Sequence, residues 1–322
     1  MIKTLPVVTL GGSGLRVSRI GLGTAPLGDL YTSVSDTQAT RTVHAALDCG
    51  ITLFDTAPLY GAGKSERRLG AALRGVPRES YQLSSKVGRV IEPDGSVRFD
   101  WTRDGILRSI EASLKRLQTS YLDIVHLHDP DDAEQVAVTV AYPVLVNLKR
   151  EGVVRAISAG MNQWQMLERL VDVVDLDCVL LAGRYTLLEQ GALDSMLPRC
   201  QARCTAVLAA GIYNSGILAT GPRVGAKYNY IDAPPEVIRR VEQLAAICER
   251  HDVSLHAAAT QFPLGHPAVT AILVGAATPI EIMNAVEAYA TPIPTQLWHD
   301  LREAGLIDSD APLPDRQTMK HP

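Results

Sequence analysis

The sequence predicts an α/β fold, a closed (β/α)8 barrel of parallel strands preceded by an N-terminal β-hairpin. Three observations predict it. Short apolar runs alternate eight times with amphipathic helical stretches, and that alternation implies parallel pairing through right-handed crossovers. Asp55, Tyr60, Lys86 and His128 sit at or just past the ends of three of these runs, which is where such barrels collect their chemistry. The glycines are misplaced for the competing open doubly wound sheet, which carries a glycine-rich loop between its first strand and first helix.

In chain order, Gly11-Gly12-Ser13-Gly14 separates Val7-Val8-Thr9-Leu10 from Leu15-Arg16-Val17. This pattern reads as a hairpin with a tight turn, a plug or lid ahead of the barrel. Strands are expected at 19–22, 52–55, 82–86, 122–128, 153–158, 178–182, 205–209 and 271–274. Between them, 37–49 repeats apolar residues at helical spacing and stops at Gly50, which suits a left-handed cap. Trp101-Thr102-Arg103-Asp104 opens a helix with Ile106, Ile110, Leu114 and Leu117 on one face. A further helix is expected over 131–150, ended by Gly152, with Val144 and Leu148 on its inner stripe. No linker divides the 322 residues, so a single domain over 1–322 is the simplest account, with 308–322 as a mobile tail or a segment draped over the barrel mouth.

Composition narrows the function classes. A hydrophobic content of 46% with 20% charged residues gives ample core for a globular domain. A formal net charge of -4 offers no electrostatic attraction to nucleic acid or an acidic membrane surface. Small molecules are the expected partners, and oligomeric state is not legible. The first residues lack the apolar core of a signal peptide, and nowhere do eighteen apolar residues run together, so a cytoplasmic location is expected. Cys49, Cys178, Cys200, Cys204 and Cys248 lack CxxC spacing and read as reduced thiols. Cys200 and Cys204, four apart, leave a metal or redox pair open as the alternative, although no metal site is expected.

The four polar residues form a coherent acid/base set for moving a hydride. A phenol such as Tyr60 can exchange a proton with a substrate oxygen while hydride moves at the adjacent carbon. Its ordinary pKa is about 10, so a nearby ammonium, Lys86, is expected to favour the phenolate near neutral pH. Asp55 would hold Lys86 as a buried ion pair, and His128 would hydrogen-bond the substrate oxygen. Taken singly, each residue also has a structural explanation as a cap, a salt bridge or a satisfied core imidazole. His126, one layer deeper than His128, is expected to pack.

Three segments carry a family resemblance: Asp55-Thr56-Ala57-Pro58-Leu59-Tyr60-Gly61, Ser84-Ser85-Lys86-Val87-Gly88 and Leu122-Asp123-Ile124-Val125-His126-Leu127-His128-Asp129. They resemble the signature segments of the aldo-keto reductases, and the resemblance runs from Gly11 to about Glu287. It implies a (β/α)8 TIM barrel that binds nicotinamide cofactor without a Rossmann domain, with Asp55, Tyr60, Lys86 and His128 as the catalytic tetrad. Gly23, Thr24 and Asp55 match positions at the nicotinamide end, and Asn162 resembles the asparagine that grips the carboxamide. Gly160-Met161-Asn162 replaces the family's Ser-Asn pair, Ala182 stands at its glutamine position, and Ala210 stands at its stacking aromatic. Tyr213 or Tyr185 is the expected substitute for that aromatic. Asn214, Ser215, Gly216 and Leu218 resemble the loop along the pyrophosphate. Relatives that prefer NADPH carry lysine and arginine at the positions of Gly275 and Glu281, followed here by Asn284. A carboxylate there would repel a 2′-phosphate and accept ribose hydroxyls, so NAD is expected over NADP. The competing reading makes Glu281 a helix-start residue at a positive dipole end.

Residues 157–164 and 181–190 are similar to the aldose 1-dehydrogenase branch, which includes L-fucose, D-threo-aldose and L-galactose dehydrogenases, and to pyridoxal 4-dehydrogenase. The implied reaction is oxidation of a cyclic hemiacetal to a lactone, with an aldose or pyridoxal as substrate. Asp29, Tyr31, Leu59, Arg89, Trp101, Asp129, Trp164 and Tyr213 are the expected specificity residues over the mouth. Two readings of another class stand beside this one. One is a cofactor-binding regulatory subunit like the potassium-channel β-subunits that resemble the family. The other is a short-chain dehydrogenase, in which Tyr60 and Lys64 would supply a YxxxK pair.

Overall fold

The computed structural model describes residues 5–315. Strands β1 Val7–Thr9 and β2 Arg16–Ser18 form an antiparallel hairpin. Eight strands then close a parallel barrel in the order β3 (Ile20–Gly23), β4 (Leu53–Asp55), β5 (Gln82–Val87), β8 (Leu122–His128), β9 (Val154–Met161), β10 (Cys178–Ala182), β11 (Ala206–Ala210) and β14 (Val269–Gly275). Two small hairpins stand outside it, β6 Arg89–Ile91 with β7 Val97–Phe99, and β12 Lys227–Tyr228 with β13 Ile231–Asp232. All eight expected strands are present. Strands 122–128 and 178–182 match to the residue, and β9 runs three residues beyond its expected end at Ser158.

The N-terminal hairpin is a plug rather than a lid. Val8, Leu10 and Val17 pack with inward residues of the barrel, among them Leu53, Ile124, Leu180 and Leu208. A Cβ on Gly11 would meet the carbonyls of Asp177 and Cys204 at 2.8 Å, so the turn presses on the strand starts and closes the end opposite the catalytic face.

The helix Asp36–Asp48 is capped by Ser35 and stops before Gly50 at φ +81°, and Arg103–Leu117 starts from a Thr102 cap. The expected helix over 131–150 is broken into Glu134–Val136, a π-helical turn Ala137–Ala141, and Tyr142–Arg150. Pro143 explains the break, because it lacks the N–H for a regular backbone bond and its ring clashes one turn back. Of the expected tail, 308–315 lies on the body: Ala311 is buried, its carbonyl accepts from Arg302 at 2.7 Å, and the Asp308 N–H donates to Gln190 Oε1. The rest of that tail lies outside the described residues.

Candidate active site

The β4–helix loop that carries Tyr60 is held from both sides. Gly28 and Gly61 approach so closely that a Cβ on Gly28 would sit 2.6 Å from the Tyr60 carbonyl carbon, while Gly61 adopts φ +61°. Only glycine tolerates both conditions. Thr24 is fully buried, and both its N–H and its hydroxyl donate to the Asp55 carbonyl. Thr24, expected at the nicotinamide, therefore locks the two loops together.

The structure brings the four expected polar residues to one end of the barrel. Lys86 Nζ donates to Asp55 Oδ2 at 2.7 Å and to the Thr56 carbonyl at 2.8 Å. Nζ lies 5.0 Å from the Tyr60 ring centre, and the ammonium interacts with the Tyr60 hydroxyl. The His128 ring meets that of Tyr60 edge-on at 6.2 Å. Lys64 instead pairs with Asp29 at 2.6 Å, and with the fold a closed barrel the YxxxK reading is excluded.

Electrostatics corrects one expectation. Burial would push the Asp55 carboxyl up, but the Lys86 ammonium and His126 outweigh it and hold Asp55 ionised. Burial would lower Lys86, and Asp55 together with Tyr60 more than restores it. For Tyr60 the balance goes the other way. Burial raises the phenol more than Lys86 lowers it, and it stands at about 12. Without a ligand Tyr60 is therefore a protonated acid at neutral pH, rather than the phenolate expected from Lys86 alone. His128 is neutral, because burial and then Lys86 and Arg89 hold it well below its ordinary value. Its Nδ1 is buried without a partner.

The other half of the rim is small. Ala182, Ala210, Gly275 and Gly23 end four neighbouring strands. All are at least partly exposed, and a Cβ on Gly23 would meet nothing closer than 3.7 Å. Side chains no larger than a methyl group leave these four strand ends uncovered beside the polar arc. Asn162, just past β9, bridges to the Ala182 carbonyl at 3.1 Å.

Several expected cofactor residues are otherwise engaged. Tyr185 is 1% exposed, against Phe262 and His266, so it cannot stack on a ligand at the mouth. The Tyr213 hydroxyl bonds Thr260 at 3.0 Å and its ring lies on His256, tying it to the helix Leu255–Gln261. Asn214 is buried, with its side chain spent on Thr186 and Gly183. The N–H groups of Asn214, Gly216 and Leu218 donate within their own turn, and the Leu218 side chain is buried. Of that loop, Ser215 remains part-exposed, its hydroxyl accepting from the Tyr230 N–H. Glu281 accepts from the N–H groups of Ala277 and Thr278 in a capping box at the helix Pro279–Ala290. It is thus the helix-start residue of the competing reading, while remaining exposed with Gly275 and Asn284.

A cleft of about 390 Å³ is lined by Arg89, Phe99, Trp101, Asp129, Asp131, Asp132, Asn162 and Gln163, and Asp129 Oδ2 in its wall lies 3.6 Å from His128 Nε2. Arg89 pairs with Asp129 at 2.9 Å and covers Phe99 at 4.2 Å, and Phe99 stacks on Trp101. Leu59 is half-buried. Besides Tyr213, two more expected specificity residues are used elsewhere. Asp29 is held by Lys64, Arg68 and the Val34 N–H, and Trp164 packs on the core beside Gly191. Tyr230, which the sequence reading missed, stacks on Tyr31 across the mouth at 6.4 Å and acts electrostatically on Tyr60. Its hairpin is anchored by Ser215 and by Arg184 on Asn229.

His126 has more partners than the packing role expected for it. It is fully buried in the barrel interior, as a packing role requires, and it also hydrogen-bonds Ser84 at 2.6 Å and Ser158 at 2.7 Å.

A barrel of this order with this polar arc defines an oxidoreductase of one class. The chain belongs to the Aldo/keto reductase family, which it matches over residues 19–305, a family that uses nicotinamide cofactors. It is 40% identical to D-threo-aldose 1-dehydrogenase of a Pseudomonas species, over 92% of this chain and 96% of the relative. It is 38% identical to pyridoxal 4-dehydrogenase of Microbacterium luteolum, over 92% and 97%. A solved aldo-keto reductase from Bacillus halodurans shares the fold, with a TM-score of 0.79 at 24% identity, covering 98% of this chain and 99% of that one. Among the described residues no helix is long and apolar enough to cross a membrane.

Proposed function

We propose that this enzyme oxidises the anomeric carbon of an aldose, such as L-fucose or a D-threo-aldose, to a lactone with NAD. The observation that carries this reading is that His128, in the Tyr60–Lys86–Asp55–His128 arc, lies 3.6 Å from Asp129, which lines a cleft that offers carboxylates, amides and an aromatic stack. A cyclic sugar needs that mixture of hydrogen-bonding groups and apolar platform. Tyr60 takes the hemiacetal hydroxyl proton, Lys86 stabilises the phenolate, and neutral His128 donates to the same oxygen. When bound, oxidised nicotinamide supplies the hydride acceptor and a positive charge that favours loss of the phenol proton. Gly23, Ala182, Ala210 and Asn162 would receive the ring and its carboxamide, with Ser215 towards the phosphates.

Pyridoxal, which as its hemiacetal follows the same chemistry, is the second reading, favoured by the Phe99–Trp101 stack and the similarity to pyridoxal 4-dehydrogenase. The test is a turnover screen of L-fucose, D-arabinose, L-galactose and pyridoxal with NAD and with NADP. The expected result is NAD reduction with a sugar. Turnover of pyridoxal alone selects the second reading, and no turnover with any of the four overturns both.

Cofactor choice rests on charge. Glu281 keeps an exposed carboxylate on the loop that follows Gly275, which disfavours a 2′-phosphate whether or not one oxygen also caps the helix. Glu281→Gln separates the two roles, because an amide oxygen still accepts the N–H groups of Ala277 and Thr278. NADP affinity is expected to rise about fivefold, equivalent to the ~1 kcal/mol that a solvent-screened like-charge contact costs, with Tm unchanged. Unaltered NADP binding in a fluorescence titration removes the charge argument.

A further inference from the structure

Beneath the rim, five side chains from four adjacent strands form one hydrogen-bond chain. Lys86 Nζ donates to Asp55 Oδ2, and Ser84 Oγ donates to Asp55 Oδ1 at 2.7 Å. Ser84 Oγ meets His126 Nε2 at 2.6 Å, and His126 Nδ1 meets Ser158 Oγ at 2.7 Å. Cys178 on β10 is the strand neighbour of Ser158 and is buried beside the end of this chain. None of the five is more than 4% exposed. Barrel interiors are ordinarily filled by branched apolar side chains, and buried polar groups are costly unless satisfied.

The protons in this chain have one consistent order. Asp55 only accepts, so the single Ser84 hydroxyl proton goes to Oδ1, and Ser84 must then accept from His126 Nε2–H. Burial lowers His126 and keeps it neutral against the pull of Asp55, so Nδ1 is an acceptor and takes the Ser158 hydroxyl proton. Every donor therefore points towards Asp55, and such chains strengthen cooperatively. The titratable or charged groups facing His126 are Asp55 on β4, Lys86 on β5, His128 on its own strand and Cys178 on β10; β9 contributes Ser158.

We propose that His126, acting through Ser84 and backed by Ser158, is a positioning residue of the active site: it holds one oxygen of Asp55 in place so that the other keeps Lys86 aimed at Tyr60. This rests on the acid/base reading of Tyr60 given above. Without this link Asp55 loses support on one side, the ammonium drifts, and the phenol becomes harder to ionise.

The first test needs no turnover. In nitrogen NMR of the labelled imidazoles, His126 is expected as a single Nε2–H tautomer that does not titrate from about pH 5 to about pH 9. An Nδ1–H tautomer or a titrating imidazole overturns the proposal. The second test follows oxidation rate against pH. His126→Leu is expected to move the alkaline limb up by about one unit, an approximately tenfold loss at fixed lower pH, with cofactor affinity unchanged. His126→Gln, which keeps an N–H donor, should recover most of the shift, and Ser158→Ala should show a smaller one. A pH-independent loss in His126→Leu, or equal defects in the Leu and Gln variants, overturns the proposal. If His126→Leu does not fold, Ser158→Ala and His126→Gln carry the comparison. Full activity in Tyr60→Phe would instead sink the acid/base reading and leave the tautomer result standing.

Discussion

Tyr60→Phe is expected to lose about 10³ of kcat, within the 10²–10⁴ that a positioned acid or base contributes and equivalent to about 4 kcal/mol of barrier. Removing one oxygen from a half-buried ring leaves the loop intact, because Gly28, Gly61 and Ser65 hold its backbone. Cofactor dissociation constants should therefore stay within about twofold, and the loss should appear in single-turnover hydride transfer. The wild-type pH profile follows from the phenol lying at about 12. Carbonyl reduction uses the protonated form, so its rate is flat through neutral pH and falls only as pH rises through the phenol value. Oxidation needs the phenolate, so its rate climbs with pH over the same alkaline range. A positive charge on bound nicotinamide would move the climb to lower pH without reversing its direction. A variant that keeps more than a tenth of the wild-type rate, or an oxidation rate that falls with rising pH, rules Tyr60 out as the proton carrier.

The barrel was legible because runs such as Leu122 to His128 and Cys178 to Ala182 are apolar and bounded by turn signals. The end of β9 was not, since Ala159-Gly160-Met161 carries little strand propensity and is held by pairing to Leu127, His128 and β10. Pro143 was visible in the sequence, but the expected helix ran through it. The polar arc could be read from strand ends, yet the sign of the Tyr60 shift could not, because burial is a property of the assembled loops. His126 shows the same limit. Alternation gives its layer, whereas its partners come from β5 and β9. Tyr230 reaches Tyr31 from about two hundred residues away with no local signature. Glu281 did carry one, since Thr278-Pro279-Ile280-Glu281 has the spacing of a capping box with proline at its first turn.

Asp55→Asn is expected to destabilise the fold by about 3–5 kcal/mol, the range for removing one partner of a buried ion pair, and to abolish turnover. It leaves the Lys86 ammonium, 3% exposed, beside a neutral amide. Lys86→Met does the converse, although Ser84 still donates to Asp55 Oδ1, so its cost should be smaller. In Asp55→Asn with Lys86→Met no uncompensated charge remains, and replacing both members of such a pair is often nearly neutral. Denaturant midpoints should place the double variant well above Asp55→Asn alone, with activity absent in all three. The pH dependence has a definite sign. The Asp55 carboxyl lies below its ordinary value of about 3.9 when folded, so its contribution is complete above that value and is lost as pH falls through the folded one. Acidification should therefore narrow the stability gap between wild type and Asp55→Asn. If the double variant is as unstable as the sum of the single ones, the pair contributes as two independent contacts, and its retention for chemistry at a cost in stability has no support.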